Sequence, residues 1–343
     1  AFATGKAGGA PVLYLGYRIL NTGKQTQSLR LFTVLRPFQV TPTWQNWRSF
    51  GGVTPIRELR FSRGTVWVDG KKPVIPLTVP SGFGAAAFDS GGATKHLPMG
   101  ELPLETAVID EFGYASGALR FDLDLAPGSS GEVYLAIPFG TVETGAHRSA
   151  GASLRRSSAS KKFDRAVREW KATLGAVEIQ VPPQMQAMAD TFRTAAGHIL
   201  INRDGPALHP GPRRYNRSWI RDGAIMGAAL LRAAYPTAIR DFIRWYAGFQ
   251  SDDGNIPDCA DREGTEWLPE FDAYGEFIYA VVEYFRFTGD QAFLAEMQPA
   301  VAKALAYMEG LRSKRLTKEY KSGEKQACYG LLPESMSHEG YMA

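Results

Sequence analysis

The sequence contains little cysteine, no long apolar run and no marked excess of either charge. With only Cys259 and Cys328 in 343 residues, a disulfide framework and a zinc cluster held by several thiolates are excluded. We expect two free thiols, with a single bridge as the alternative. No stretch approaches the ~20 consecutive apolar residues that span a membrane, so no membrane partner is predicted. The 39 basic and 35 acidic side chains leave a net charge of +4, which is too balanced for a protein whose main partner is nucleic acid.

Several catalytic signatures are also missing. The sequence has no G-x-S-x-G elbow, no phosphate-binding P-loop and no H-E-x-x-H zinc motif. Its five histidines are scattered, so hydrolysis by a Ser-His-Asp triad has no local support. Acidic residues are frequent between positions 252 and 276, but their spacing does not match a calcium-binding EF-hand loop. We therefore predict no metal site.

Residues 1–140 carry the patterns of an antiparallel β domain. Apolar and polar residues alternate from 119 to 125, the period-two signature of a half-buried strand. Asp69-Gly70 lies between two short apolar runs, which is a strong hairpin signal. Frequent Gly and Pro between short strands favour a β-sandwich. The predicted strands cover residues 14–20, 29–35, 66–68, 73–75, 119–125 and 133–137.

The composition changes after a predicted linker at residues 141–184. The linker begins with a Gly- and Ser-rich stretch and contains one helix, which ends at Gly175. The rest of the chain, 185–343, is predicted to be helical. The helices are separated by long loops at 202–220, 250–272 and after 313, and loops that long inside a compact domain are usually functional. The predicted helices cover residues 185–201, 221–234, 237–249, 273–287 and 291–311, the last with Pro299 as a candidate kink.

The most informative segment begins at Tyr215 and contains Y-N-R-S-W-I-R-D. Trp219, Arg221 and Asp222 lie where the first long loop passes into a helix that is apolar on nearly every side and is therefore expected to be buried. Arg supplies a planar fork of donors, Asp supplies acceptors and Trp supplies an apolar face. Such a set can hold a sugar ring. The alternative is an acidic first turn of the helix together with a structural ion pair.

The other two long loops carry the remaining candidates. The second is rich in carboxylates and contains Trp267; Glu270 and Asp272 stand out because they lie at the start of the next helix. In the third, Glu334 follows Leu-Leu-Pro, and apolar neighbours would raise the pKa of its carboxyl, which suits a general acid. Glu339 is an equal alternative, and a solvated loop glutamate is the competing interpretation.

In this order, a β-sandwich, a linker helix and helical hairpins with long acidic loops resemble the glucoamylase-like six-hairpin glycosidases. The segment W-I-R-D at 219–222 resembles the W-x-R-D helix start of this family, and E-F-D-A-Y-G-E at 270–276 resembles its D-x-Y-G-Q/E helix start. Glu334 lies where the family places its general acid, although Pro333 stands where the family usually has Trp. The resemblance covers about residues 185–343.

The resemblance implies both a fold class and an activity. The fold would be an antiparallel β-sandwich at 1–140, the linker at 141–184, and the N-terminal part of an (α/α)6 toroid at 185–343. The activity would be hydrolysis of O-glycosidic bonds in oligo- or polysaccharides by an inverting pair of carboxylates, without a cofactor. Glu334, or alternatively Glu339, would be the general acid. The expected sugar-binding residues are Tyr215, Trp219, Arg221, Asp222, Trp267, Glu270 and Asp272.

The predicted helices are too few to close such a barrel, and the catalytic base of the family lies in a later hairpin. We therefore expect the chain to be a fragment that leaves an apolar surface open. The remaining C-terminal part of the barrel would be its partner, as a continuation or as a second chain. Three other interpretations remain open: a glycoside phosphorylase on the same scaffold, a glycan-binding protein without the acid–base pair, and a purely structural helical scaffold.

Overall fold

The computed structural model describes residues 1–5, 11–41, 52–139, 154, 158–212 and 215–336. The chain divides into two compact units, Ala1–Lys171 and Ala172–Ala343. The first unit consists mainly of β-strands, and the second consists mainly of α-helices. Most of the predicted Gly- and Ser-rich stretch of the linker lies outside the described residues.

The first unit contains two main antiparallel sheets. In the described residues, one sheet has seven strands in the order β1-β2-β12-β8-β7-β6-β10, and the other has three in the order β3-β11-β9. A separate pair is formed by β4 and β5. The strands are β1 (Phe2–Thr4), β2 (Val12–Leu20), β3 (Gln27–Leu35), β4 (Phe38–Thr41), β5 (Gly52–Thr54), β6 (Glu58–Ser62), β7 (Thr65–Val68), β8 (Lys72–Pro76), β9 (Gly82–Ala86), β10 (Ala107–Ile109), β11 (Ser116–Leu125) and β12 (Ser130–Pro138).

The two sheets share one hydrophobic core. Leu59 and Val66 of the larger sheet are fully buried in the same cluster as Leu119 and Phe121 of the smaller sheet. Apolar side chains from alternate positions of both sheets therefore pack face to face, as in a sandwich. The β-sandwich predicted for this part of the chain is confirmed.

The predicted hairpin between β7 and β8 illustrates why local sequence sufficed here. The two strands pair antiparallel with Val66 opposite Val74. The turn residues Asp69 and Gly70 have φ angles of 51° and 64°, a left-handed conformation that Asp and Gly adopt at lower cost than other residues. The Asp69 carboxylate also accepts hydrogen bonds from the backbone amides of Arg57 and Glu58 at 2.8 and 3.0 Å, which fixes the turn against β6.

The helices begin and end close to the predicted residues. Each of the five helices predicted after residue 184 has ends within two residues of those observed, and the last continues through Pro299. In the described residues, the α-helices of regular length are α1 (Ala159–Leu174), α2 (Gln186–Ile201), α3 (Ile220–Arg232), α4 (Pro236–Ala247), α5 (Ala273–Thr288) and α6 (Gln291–Ser313).

Helix α3 packs closely on α4 because two of its residues lack side chains. A Cβ atom on Gly223 would lie 2.1 Å from the ring of Phe242, and one on Gly227 would lie 2.1 Å from Cδ1 of Ile239. On the opposite face of α3, which is expected to be covered only in a complete barrel, Ile225 is 62% exposed. Tyr279 and Val282 of α5 are also exposed, so both helices present apolar side chains to solvent.

The helices alternate between short and long connections. Residues 233–235 join α3 to α4 and residues 289–290 join α5 to α6, whereas the long loops 202–219 and 248–272 precede α3 and α5. Helix α3 also contacts α5. The N-terminal ends of α3 and α5 therefore carry the long loops, and functional groups on those loops are brought to these two helix ends.

The long loops contain a small sheet that the sequence analysis did not predict. Strands β13 (Ser218–Trp219), β14 (Cys259–Asp261) and β15 (Gly264–Glu266) pair antiparallel in that order. Cys259 and Cys328 are both free thiols, as expected, and burial raises the pKa of the Cys259 thiol. No helix in the described ranges is both long and apolar enough to cross a membrane.

Candidate functional site

An ion-pair cluster joins the first turn of α3 to the residues immediately before α5. Nη1 of Arg221 donates to Oδ2 of Asp272 at 2.8 Å and lies 3.5 Å from Oε2 of Glu270. Arg221 lies in the first turn of α3, and Asp272 immediately precedes α5. We refer to Arg221, Glu270 and Asp272 as the Arg221 cluster. An ion pair of Arg221, which the sequence left open as the alternative to sugar binding, is therefore present.

The Arg221 cluster is partly open to solvent. Glu270 is buried, whereas the side chains of Arg221 and Asp272 are 27% and 43% exposed. Asp222 follows in the same first turn of α3 and is half-buried. The exposed side of the cluster therefore offers guanidinium donors and carboxylate acceptors together, the combination that a polyol requires.

The third long loop reaches the same helix ends. The Ser335 hydroxyl donates to the Pro269 carbonyl at 3.0 Å and accepts from the Phe271 amide at 3.3 Å. The Met336 amide also donates to the Pro269 carbonyl, at 3.1 Å. These bonds enclose the backbone of Glu270 on both sides. The segment that carries Glu334 is thereby placed next to the Arg221 cluster.

The surroundings of Glu334 differ from the prediction. Its side chain is 90% exposed and forms an ion pair with Arg315. A hydrogen bond from its own backbone amide and the charge of Arg315 lower the pKa of Glu334. The expected raised pKa is therefore wrong, because the preceding Leu and Pro do not cover the carboxylate and a cation from earlier in the chain pairs with it. Glu339, the alternative acid, lies outside the described residues.

A different carboxyl near the cluster has a raised pKa. Glu276 lies one turn after Asp272 on α5 and is half-buried. Burial and then the negative charge of Asp272 raise its pKa, while the positive charge of Arg221 opposes the shift. Its position was visible in the E-F-D-A-Y-G-E segment, since residues four apart lie on the same side of a helix. No role was predicted for Glu276 from the sequence.

The three predicted aromatic residues differ in how much ring they expose. Trp219 is only 8% exposed, and its ring lies 5.5 Å from the Arg217 guanidinium and 6.1 Å from the Tyr215 ring. Little of the Trp219 ring is left for a sugar, so the expectation of a stacking surface there is not supported. Tyr215 and Trp267 are 61% and 45% exposed, and their rings remain accessible.

A buried charge network beneath the loops was missed by the sequence analysis. Arg217 donates from Nε to Oδ2 of Asp261 and from Nη1 to Oε2 of Glu266, both at 2.7 Å. It lies two residues before Trp219, on the same side of the extended chain. The sequence signal that could have indicated this network is the Arg-x-Trp spacing of Arg217 and Trp219. Its partners lie 44 and 49 residues away in the sequence, so no local pattern identified them.

A buried histidine lies in the first long loop. His209 is 5% exposed, and its Nδ1 lies 3.0 Å from Oδ1 of Asn216. Burial lowers the pKa of His209, which favours a neutral ring that donates to the amide oxygen. Among the described residues, no group of three or more His, Cys, Asp or Glu is arranged to hold a metal ion.

Comparisons with known proteins relate this geometry to a fold. Residues 186–325 match the family model described as amylo-alpha-1,6-glucosidase. No curated protein matches the chain. A bacterial glucoamylase solved in complex with acarbose is 11% identical, with a TM-score of 0.55, over 89% of this chain and 50% of that one. The chain thus spans about half the length of that structure.

Two further solved structures resemble the chain less closely. One, described as a kojibiose phosphorylase from the human microbiome, has a TM-score of 0.46 at 11% identity, and the match covers 86% of this chain and 43% of that chain. A glycosyl hydrolase of the GH92 family has a TM-score of 0.34 at 13% identity, and the match covers 90% of this chain and 48% of that chain. The fold assignment rests on the glucoamylase match. The chain therefore has the six-hairpin glycosidase-like fold, a β-sandwich followed by part of an (α/α)6 toroid, and residues 186–325 resemble the amylo-alpha-1,6-glucosidase family.

Proposed function

We propose that the protein is a carbohydrate-active enzyme that hydrolyses O-glycosidic bonds of oligo- or polysaccharides with inversion at the anomeric carbon. The observation that carries the proposal is the meeting of three loops at the N-terminal ends of α3 and α5. Ser335, the residue after Glu334, donates to the Pro269 carbonyl and accepts from the Phe271 amide, on either side of Glu270 of the Arg221 cluster. A carboxylate candidate for proton transfer and a set of hydroxyl-binding groups are thus at one end of the helical unit.

The proposed binding groups would make both polar and apolar contacts with the saccharide. Arg221, Asp222, Glu270 and Asp272 would hold sugar hydroxyls through paired donors and acceptors. Tyr215 and Trp267, whose rings are exposed, would cover the C–H faces of the sugar rings. The family model that matches residues 186–325 makes α-glucans, with both 1,4 and 1,6 linkages, the first substrates to test.

Proton transfer requires one protonated and one ionised carboxyl. The acid gives its proton to the glycosidic oxygen as the C–O bond breaks, and a carboxylate base removes a proton from the attacking water. The base would lie in a later hairpin of the fold, as the resemblance to the six-hairpin glycosidases implies. Glu334 is the proposed acid. Because Arg315 favours the ionised form of Glu334 in this structure, bound substrate must separate the Glu334 carboxyl from the Arg315 guanidinium before Glu334 can carry a proton. Glu276, whose pKa is raised, is the rival acid.

Glutamine variants of the two glutamates test these assignments in the full-length protein. E334Q should lower turnover of a natural α-glucan by about 10²–10⁴-fold, the usual contribution of a general acid, with little change in binding. A substrate with an activated leaving group should be less affected, because its oxygen needs no proton. If E276Q shows this pattern and E334Q does not, Glu276 is the acid. NMR of the first-formed anomer tests inversion.

Phosphorolysis is the second candidate, favoured by the basic residues that precede Glu334. Arg315 is largely buried beside Glu334, and the charge of Lys325 also acts on that carboxyl. A phosphate ion would replace water as the acceptor of the glycosyl group. Turnover that requires inorganic phosphate and yields a sugar 1-phosphate would establish the phosphorylase and overturn hydrolysis. Saccharide binding without turnover, unchanged in E334Q, would identify a glycan-binding protein instead.

A further inference from the structure

Arg217 is a fully buried guanidinium that ties together the three strands of the loop sheet. The residue is 1% exposed and forms charged hydrogen bonds to Asp261, at the end of β14, and to Glu266, at the end of β15. It immediately precedes β13. A guanidinium is costly to remove from water unless carboxylates compensate it. The planar fork of Arg, which binds carboxylates in defined directions, therefore fixes β13, β14 and β15 relative to one another.

The same network holds the backbone of Trp267 on both sides. Glu266, immediately before Trp267, is bound by Arg217 and pairs with Cys259 in the sheet. Leu268, immediately after it, donates its amide to Oδ1 of the buried Asp258 at 2.9 Å. The Trp267 ring is nevertheless 45% exposed. Two carboxylates, those of Glu266 and Asp258, therefore fix the backbone from which the partly exposed indole extends.

The fixed segment continues directly into the Arg221 cluster. The Glu270 amide donates to the Leu268 carbonyl at 2.7 Å, and the Glu270 carboxylate lies 3.5 Å from Arg221. Arg217 is therefore connected to the proposed site by its hydrogen bond to Glu266, by the chain segment 266–268, and by the bond from the Glu270 amide to the Leu268 carbonyl. A buried ion network stabilises a fold less than apolar packing of the same volume would, so its value here lies in the geometry it imposes.

We propose that Arg217 is a positioning residue for saccharide binding, which acts through Glu266 to set the direction of the Trp267 ring beside the Arg221 cluster. The ligand class is an oligosaccharide with an apolar ring face that lies against Trp267 while its hydroxyls reach the Arg221 cluster. The inference rests on the proposed function and adds to it two residues with no direct contact to substrate, Arg217 and Glu266.

A double-mutant cycle in the full-length protein tests the inference, with maltotetraose and an isomaltose-series tetrasaccharide as probes. W267A should weaken binding by about tenfold, which corresponds to the loss of one aromatic contact with the saccharide. R217K keeps the charge but loses the fork, and it should weaken binding by a similar factor. The double variant should be little weaker than either single one, because both changes remove the same contact. A split in which KM rises while kcat is unchanged should accompany the loss.

Two variants separate positioning from general damage to the fold. R262K is the matched control, because Arg262 pairs with Asp204 across the same two loops but is exposed; its affinity for both probes should equal that of the wild type. E266Q preserves Arg217 and its bond to Asp261, so it tests the link to Trp267 even if R217K does not fold. It should also be non-additive with W267A.

The outcomes distinguish failure of the inference from failure of the proposed function. If R217K and E266Q lower only thermal stability, or if their effects on affinity add to that of W267A, Arg217 and Glu266 are purely structural and the inference is overturned. If saccharides bind equally well to W267A, the inference is overturned and the proposed function stands. If the wild-type protein binds neither probe and cleaves no α-glucan, both are overturned.

Discussion

Arg221 and Asp272 connect the N-terminal ends of two neighbouring helices through a hydrogen bond of 2.8 Å between Nη1 and Oδ2. They are 51 residues apart in the sequence, and each follows a long loop. Because both side chains remain partly exposed, the pair can exchange some of its mutual contact for contact with a ligand. An ion pair of this kind contributes little to stability, which makes a binding role testable separately from folding.

The first prediction concerns Asp272→Asn. The free energy of unfolding should change by less than about 1 kcal/mol, the range for partly exposed ion pairs, whereas affinity for an α-glucan oligosaccharide should fall about tenfold or more. Denaturant unfolding and calorimetric titration measure the two effects. Glu296→Gln is the control, because Glu296 pairs with Arg244 between α4 and α6 at comparable exposure. A D272N variant that binds saccharide normally would show that the pair is structural.

The second prediction concerns the ionisation of Glu334. Arg315→Met removes a cation that favours the carboxylate, so the pKa of Glu334 should rise toward its ordinary value of 4.5. NMR titration of the glutamate side-chain carboxyl carbons measures this directly. Arg312→Met is the control, since Arg312 binds the Gly330 carbonyl and Glu309 rather than Glu334. Equal Glu334 titration curves for R315M and the wild type would contradict the observed ion pair.

The third prediction uses the raised pKa of Glu276. A carboxyl whose folded-state pKa is raised favours folding in its protonated form. Its stabilising contribution is therefore full below the ordinary pKa of 4.5 and is lost as the pH rises through the raised value. Glu276→Gln should lose this pH dependence and gain stability relative to the wild type as the pH rises. Thermal unfolding across this pH range measures the difference.

Asp272 provides a second test of the same carboxyl. Its negative charge contributes to the raised pKa of Glu276, so D272N should bring that pKa closer to its ordinary value. The stabilities of D272N and the D272N/E276Q double variant should therefore diverge over a narrower pH range than those of the wild type and E276Q. If the two stability curves run parallel from acidic to neutral pH, burial does not perturb Glu276 and its candidacy as an acid is removed.

The elements that sequence analysis located correctly are those specified by neighbours in the chain. Strands β7 and β8 flank Asp-Gly, and the backbone conformation that these two residues tolerate fixes the hairpin. The ends of helices α2 to α6 were predicted within two residues, because Gly, Pro and polar loop residues interrupt the helical sequence there. The N-terminal ends of α3 and α5 could also be predicted as the candidate site, because long polar loops precede both helices.

The parts that sequence analysis missed depend on residues that are distant in the chain. Strand β13 has two residues and β14 and β15 have three each, too few to show a period. Glu334 was judged by Leu and Pro beside it, but its carboxylate meets Arg315, 19 residues earlier. A pKa depends on what surrounds the side chain in space, which the immediate sequence does not determine. Trp219 likewise is buried by Arg217 and Tyr215, rather than exposed at the loop.

The fourth prediction concerns the close contact between α3 and α4 that fixes the start of α3. Gly223→Ala would place a Cβ atom 2.1 Å from the Phe242 ring, and the fully buried Phe242 has little room to move. Overpacking of this kind costs about 1–3 kcal/mol, which exceeds the gain of up to about 1 kcal/mol from replacing Gly by Ala in a helix. Gly310→Ala in α6, where no atom lies within 4 Å of the added Cβ, is the matched control and should stabilise the protein by about 0.5–1 kcal/mol. Urea unfolding measures the change in the free energy of unfolding, which should fall in G223A and rise in G310A. Stabilisation by G223A would mean that α3 and α4 are not packed as closely as the structure places them.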